Sequence, residues 1–406
     1  MILQKHTVKF ILTFLIGSQI ALGDHEIEKS DSTEDVTTEV VAENESTGAL
    51  ATLETPEAAP VLLTDEITEF LDNEIPVDSS IFFSHVNSLE FQISMDYNSE
   101  VKRFINYFGT SWQSKLKQMI TLSEHYFPVY ESVFDKNDLP LELKYVSVIE
   151  SALNPYATSR SGAVGLWQFM PYTGKIYDLK IDRYQDERRD IEKSTEAAAH
   201  YFKDMSLVFD DWLVVIASYN CGPGNIRKAI RHAGGKTGFW EIYPYLPKQT
   251  QNYIPSYIAV AYLMNFYEHY GIFPAYAEKP EANVTKVICS PNHNLQAVAE
   301  TLDMTIEYIR KLNPPLKSDN IPANVSTMEI YLPSDKAHMF IDKEGEILVL
   351  SESYTPAVQE VVYVVKRGDS LGAIANRKGC SVAEIKDWNN LRSNTIHPGN
   401  RLKLYL

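Results

Sequence analysis

Glu150-Ser151-Ala152-Leu153-Asn154-Pro155, then Ser159, then Gly162-Ala163-Val164-Gly165-Leu166-Trp167-Gln168-Phe169-Met170-Pro171 is the stretch on which the reading of this chain turns. Ahead of it Leu141, Tyr145, Val148 and Ile149 recur at helical spacing, so one apolar stripe ends beside a single carboxylate. Asp138 followed by Pro140 predicts where that helix starts. Val146, Val148 and Ile149 before Glu150, with Leu153 after it, disfavour the charged form, and desolvation raises a carboxyl pKa. The competing reading is a surface glutamate at a helix C-terminus, which would put its charge at the unfavourable end of the helix dipole. The glycines that follow allow tight turns and close backbone approach.

Working outward, residues 85–275 read as helices. Leu116, Met119, Ile120 and Ser123 share a face that leads to Tyr126 and Phe127. Ala197 to Tyr201, Trp212 to Tyr219 and Tyr253 to Tyr270 predict further helices, and strand-like alternation is scarce. After Pro274 the texture changes. Val284 to Cys289 is strand-like, Leu295 to Leu302 and Ile306 to Leu312 helical, and Met328 to Leu332 strand-like again. The same order returns in Val361 to Val365, Ser370 to Arg377, Val382 to Asn389 and Arg401 to Tyr405, with Leu312-Asn313 and Trp388-Asn389 closing the second helix of each copy. These are two copies of a small βααβ module, the first degenerate. The expected fold is mainly α, a helical domain followed by the small modules.

The 406 residues suffice for two or three domains, and 44% hydrophobic content allows a sizeable core. The 24 tyrosines suit a groove for ligands that are apolar on one face and hydroxylated at their edges. Net charge is −17, yet residues 24–78 alone hold 17 Asp and Glu against one Lys, leaving the rest at −1. No basic stripe remains, so a nucleic-acid partner is not expected. Residues 1–23 predict a cleaved export signal: Lys5 and Lys9, an apolar run from Phe10 to Leu15, and Ala21-Leu22-Gly23 before Asp24. An uncleaved N-terminal anchor is the alternative. Residues 24–80 predict an acidic disordered linker.

The three cysteines, Cys221, Cys289 and Cys380, form neither a disulfide framework nor a metal-ligand pattern. They are expected to be buried apolar residues, and no metal or cofactor is expected. No cysteine precedes Cys221, so a lipid-modified N-terminal cysteine is not expected either.

A neutral carboxylic acid near pH 7 can protonate a sugar leaving group. A conventional glycosidase needs a second carboxylate across the bond. None occurs between Glu150 and Asp178, and Asp178 and Asp182 sit in an ordinary polar loop. A one-acid site must take its nucleophile from elsewhere, for instance from the substrate.

The Glu150–Pro171 stretch resembles the first motif of the soluble-type lytic transglycosylase catalytic domain, a goose-lysozyme-like fold. Ala217-Ser218-Tyr219-Asn220-Cys221-Gly222-Pro223-Gly224 resembles that family's second motif, and Leu246-Pro247, Thr250 and Tyr253-Ile254-Pro255 its third. Tyr363-Val364-Val365-Lys366-Arg367-Gly368-Asp369-Ser370-Leu371, Ile374-Ala375, Trp388-Asn389, Ile396, Pro398-Gly399 and Leu402 resemble LysM. By layout the chain is similar to the membrane-bound lytic murein transglycosylase D type with C-terminal LysM. The departures are Gln249, where many members carry glutamate, Cys221 in place of a small residue, and His293-Asn294 in place of the Gly-Asp turn of the first module.

The resemblance implies a lysozyme-like catalytic domain over 81–278, a degenerate LysM-like module over 284–334, a linker over 335–359 and a LysM domain over 360–406. It implies that Glu150 protonates the oxygen between N-acetylmuramic acid and N-acetylglucosamine and then acts as base, while the muramic C6 hydroxyl closes a 1,6-anhydro ring. Ser159, Gln168, Met170, Tyr219, Asn220 and Tyr253 would line the groove. For Tyr219 and Tyr253 the plainer reading is helix packing. The implied partners are peptidoglycan glycan strands, with N-acetylglucosamine-containing glycan at LysM. The implied location is the periplasm or cell envelope, with at most a loose membrane association. A lysozyme-type muramidase and a non-catalytic wall-binding scaffold are the alternative functions.

Overall fold

A computed structural model describes residues 75–276, 283–321, 328–354 and 360–405. The expected export signal and the expected linker up to residue 74 lie outside the described residues. Residues 75–80 do not belong to a linker: Ile75 and Val77 are buried in the helical domain's core, and Asp78 caps the first helix by accepting from the Ile81 amide (2.9 Å). Two apolar residues at alternate positions are enough to dock that extended segment.

The helical domain comprises α1 (Ser79–Val86), α2 (Ser99–Gly109), α3 (Gln113–Lys136), α4 (Lys144–Ser151), α5 (Pro171–Ile176), α6 (Ile191–Ser206), α7 (Trp212–His232), α8 (Phe239–Ile242) and α9 (Lys248–Phe266). Short polar side chains cap three more of these helices. Asn98, Asp190 and Asp211 each accept backbone N–H groups from the first turn of α2, α6 and α7. In α2 the residues at i, i+3, i+4 and i+7, namely Val101, Phe104, Ile105 and Phe108, are fully buried.

Helix α9 is apolar on nearly every side. Accordingly it is the central helix, with Tyr253, Ile254, Tyr257, Ile258, Ala261 and Tyr262 fully buried and α2, α4 and α7 packed around it. The expected start of α4 shifts. Asp138 takes a left-handed conformation (φ 55°), and a 3₁₀ turn (Leu141–Leu143) precedes the α-helix. Pro140 is therefore the residue that leads into this turn and lies outside the first α-helical turn.

In the first module β1 (Val284–Cys289) pairs antiparallel with β2 (Met328–Pro333), Cys289 opposite Met328, around α10 (Leu295–Thr301) and α11 (Ile306–Leu312). In the second, β3 (Glu360–Val364) pairs with β4 (Arg401–Tyr405), separated by helices Leu371–Lys378 and Val382–Trp388. One device is common to both. Asn313 donates to Tyr331 O and accepts from Tyr331 N, and Asn389 does the same with Lys403. Each asparagine also donates to its own helix, to Ile309 O or Ile385 O, so it ties the end of the second helix to the last strand.

Residues 335–359 were expected to be a linker, and the described part is not one. Ser334–Asp342 and Glu344–Tyr354 are helices, here α12 and α13, and Ala337, Phe340 and Ile347 complete the first module's core. A βααβ unit this small buries too little apolar surface alone, and two further helices supply more. Residues 355–359 lie outside the described residues. All three cysteines are free and buried. Among the described residues no helix is long and apolar enough to cross a membrane.

Candidate active site

Glu150 lies in the last turn of α4, 4% exposed. The chain leaves the helix through two successive left-handed residues, Ala152 (φ 54°) and Leu153 (φ 58°), and neither is glycine. Such backbone costs about 1–3 kcal/mol per residue and persists where surrounding structure holds it. Holding is provided from the same helix: Ser147 and Ser151 both donate to the Leu166 carbonyl, at 3.0 and 2.8 Å. The acid's helix is thereby pinned to the glycine-bearing loop that follows it.

That loop, residues 157–169, closes on itself. Ser159 N donates to Ala163 O and Ala163 N to Ser159 Oγ, both at 2.9 Å, while Gly165 N donates to Ala157 O. Gly165 (φ 88°) is obligatory: a Cβ there would lie 1.7 Å from the Arg188 carbonyl oxygen. Trp167 fills the core behind the loop, tilted against Tyr130 and edge-on to Phe134 and Phe202, and donates to Thr195.

Across the site, α7 is broken at Gly222 (φ 79°, ψ 150°), and Pro223 opens its second half. Proline offers no N–H to the Tyr219 carbonyl. Neighbouring carbonyls find side chains instead, Ser218 O taking the Tyr201 hydroxyl (2.7 Å) and Cys221 O the Asn225 amide (2.8 Å). The break leaves Tyr219 and Asn220 on the last turn before the gap. Tyr219 donates to Trp167 O at 2.6 Å, and Asn220 Oδ1 accepts from the buried Thr250 at 2.8 Å.

The electrostatics centre on one pair. Tyr253, fully buried on α9, donates to Glu150 Oε1 at 2.5 Å, the one hydrogen bond that the carboxyl makes among the described residues. Burial pushes the Glu150 pKa from 4.5 up to about 8, opposed only in part by that hydrogen bond, and no second carboxyl contributes. Tyr253 and Tyr219 are held well above the usual phenol range, first by burial and next by the charge that Glu150 would carry. At neutral pH the carboxyl is therefore protonated. With Oε1 accepting from tyrosine, Oε2 is the oxygen left to hold the proton.

The structure brings Glu150, Tyr253 and Tyr219 into one electrostatic group and sets Gln168 and Asn220 on the segments that frame it. Gln168 (φ 49°) has its amide nitrogen fixed by Ala157 O and Gly165 O, while its buried Oε1 has no partner among the described residues. Asn220 Nδ2 is likewise buried without a partner. Met170 is half-buried at the start of α5. The Ser159 hydroxyl shapes the loop turn, accepting from Ala163 N.

Thr250 anchors Asn220, a role that nothing in its sequence surroundings marks. Arg188 is equally unmarked: it is a buried cation joined to Asp186 that donates to the Gly162 and Phe169 carbonyls, both at 2.9 Å. Asp186-Glu187-Arg188-Arg189-Asp190 reads as solvated surface, and nothing local marks one arginine as buried. No group of three or more His, Cys, Asp or Glu placed to hold a metal occurs among the described residues.

Residues 133–241 match the transglycosylase SLT domain, 283–348 the LysM-like domain of the lytic transglycosylase MltD, and 363–404 the LysM domain. The second of these covers α12 and the start of α13, within the stretch expected to be a linker. The chain is 31% identical over 302 residues to the membrane-bound lytic murein transglycosylase D of Escherichia coli K12, covering 72% of this chain and 66% of that protein, just under two thirds of its length. Over 60 residues it is 38% identical to the cell wall-binding protein YocH of Bacillus subtilis, 15% of this chain and 20% of that one. Among solved structures, the 70 kDa soluble lytic transglycosylase of Escherichia coli matches at 20% identity and a TM-score of 0.32, over 43% of this chain and 32% of that one.

Proposed function

We propose that this chain, which is similar to the lytic transglycosylases that join an SLT domain to LysM-type modules, cleaves peptidoglycan with Glu150 as its single acid and base. The observation that carries the reading is the Glu150–Tyr253 pair: a buried carboxyl, protonated at neutral pH, with a tyrosine on one oxygen and no second carboxyl in its field. The bond proposed to break is the β-1,4 link from N-acetylmuramic acid to N-acetylglucosamine. Glu150 Oε2 gives its proton to the linking oxygen as that bond breaks. The carboxylate so formed sits in an apolar site and is a strong base. It takes the proton of the muramic C6 hydroxyl while that oxygen attacks C1 and closes the 1,6-anhydro ring. No water is consumed.

The unpartnered Gln168 Oε1 and Asn220 Nδ2 supply one buried acceptor and one buried donor for the hydroxyl and acetamido groups of the sugars. Ser159 and Met170 are proposed to extend the same wall, and Tyr219 to brace it through its hydrogen bond to Trp167 O. The second module is proposed to hold N-acetylglucosamine-containing glycan. The cell envelope is the proposed location, since the substrate is there.

Mass spectrometry of products from purified sacculi tests the reading. Anhydromuramic ends are expected, and their formation should cease with Glu150→Gln. Reducing muramic ends, heavier by one water, would establish the muramidase instead. Binding to sacculi without solubilisation would establish a scaffold.

A further inference from the structure

One strand of backbone, residues 182–190 between α5 and α6, touches both the acid's loop and the first module. On the module side Asp186 N donates to Pro315 O (2.7 Å), Lys317 N donates to Tyr184 O (2.8 Å), and Gln185 bridges antiparallel to Leu316. The Tyr184 ring packs against the module's core, and Lys317 Nζ reaches Asp182 O. On the catalytic side Asp186 presents its carboxylate to Arg188 in a two-point pair, Nε to Oδ1 at 2.8 Å and Nη2 to Oδ2 at 2.7 Å. Arg188 then spends Nη1 on two carbonyls of the acid's loop, Gly162 O and Phe169 O. Phe169 lies between Gln168 and Met170, and its carbonyl also accepts from Val164 N. Both Arg188 and Asp186 are 5% exposed.

Asp186 is therefore the joint. Its backbone is held by the module and its side chain aims the arginine. Four N–H vectors of one planar guanidinium are engaged, a pattern that the ammonium of lysine cannot reproduce.

We propose that Arg188 is a positioning residue for the reaction and that the first module is the anchor that sets it. The module is then a working part of the catalytic domain through its 313–317 turn, whether or not it binds sugar. This inference rests on the reading of Glu150 and its groove given above.

The test uses the full chain carrying Arg188→Lys, Lys317→Pro, or both. Lys317→Pro deletes the amide that holds Tyr184 O and leaves the catalytic domain's own sequence untouched. On soluble glycan strands Arg188→Lys should raise KM by about tenfold, which is about 1.4 kcal/mol and the scale of one hydrogen bond lost to the bound sugar. The alkaline limb of the pH profile should stay in place, because the Glu150–Tyr253 pair is not touched. Lys317→Pro should move KM in the same direction, and the double variant should be no worse than Arg188→Lys alone, as coupled sites require.

Hydrogen exchange over residues 157–169 should speed up in both single variants, a readout that does not depend on turnover. If Arg188→Lys fails to fold, Asp186→Asn keeps the backbone bond to the module and should show the same KM shift. Unchanged exchange in 157–169, or KM effects that simply multiply, would overturn the proposal. A wild-type protein that leaves strands intact would overturn the reaction alone.

Discussion

Replacing Glu150 by glutamine should do two things at once, and the second is measurable without any substrate. Turnover should vanish. Stability should rise at neutral pH. In the fold the carboxyl titrates at about 8 against 4.5 ordinarily, so the native state binds the proton that the unfolded chain has released. The stability of the protonated form is fully present below pH 4.5 and is lost as pH rises, until the folded group ionises near 8. Each pH unit in that window removes about 1.4 kcal/mol, so the wild type should have lost about 3 kcal/mol by pH 7. Glutamine carries no such proton and still offers Tyr253 an acceptor oxygen.

Comparing the two proteins at pH 4 and again at pH 7 cancels whatever the amide itself costs. At pH 4 the variant sets the baseline difference. At pH 7 its melting temperature should gain on wild type by a further ~6–12 °C, taking 2–4 °C per kcal/mol for a domain of this size. Calorimetry or circular dichroism across the two buffers reads this directly. A difference that does not change with pH would mean that Glu150 ionises as an ordinary glutamate, and the argument for a protonated acid would fail.

Other outcomes follow from the same geometry. Tyr253→Phe removes the hydrogen bond that lowers the Glu150 pKa, so the alkaline limb of the pH–rate profile should move to higher pH; a limb moving lower would contradict this. Gly165→Ala forces a Cβ onto the Arg188 carbonyl at a positive φ and should cost about 3 kcal/mol or more, seen as a lower urea midpoint or loss of soluble protein. Deleting residues 360–406 should reduce sedimentation with sacculi while leaving anhydro-product formation on soluble fragments; unchanged sedimentation would remove the second module from substrate capture.

Much of the fold was written locally. The helical stripe ahead of Glu150 and the repeated strand–helix–helix–strand order both act over a few residues, and periodicity reports such forces. Illegible features depend on partners distant in the chain. Glu344–Tyr354 has no strong apolar face of its own, and Ile347 becomes core only once α10 is packed against that helix. Ala152 and Leu153 carry positive φ without glycine, because serine bonds and packing hold them there. The buried charge of Arg188 was hidden for the same reason: its carbonyl partners lie 19 and 26 residues away. At the site, the sequence pointed to an apolar setting for the acid, but not to which tyrosine meets which oxygen.

Ser147 and Ser151 fasten the acid's helix to a single carbonyl with two neutral hydroxyls. Two points of attachment fix a rotation where one would leave a pivot, and a one-residue slip of a helix turns a side chain through about 100°. Because neither fastener is charged, the aim of Glu150 does not slacken as ionic strength rises, as it would if an exposed ion pair held it. A salt effect on turnover would then report on how the polymer arrives, while the direction in which the proton is delivered stays the same in dilute and concentrated electrolyte.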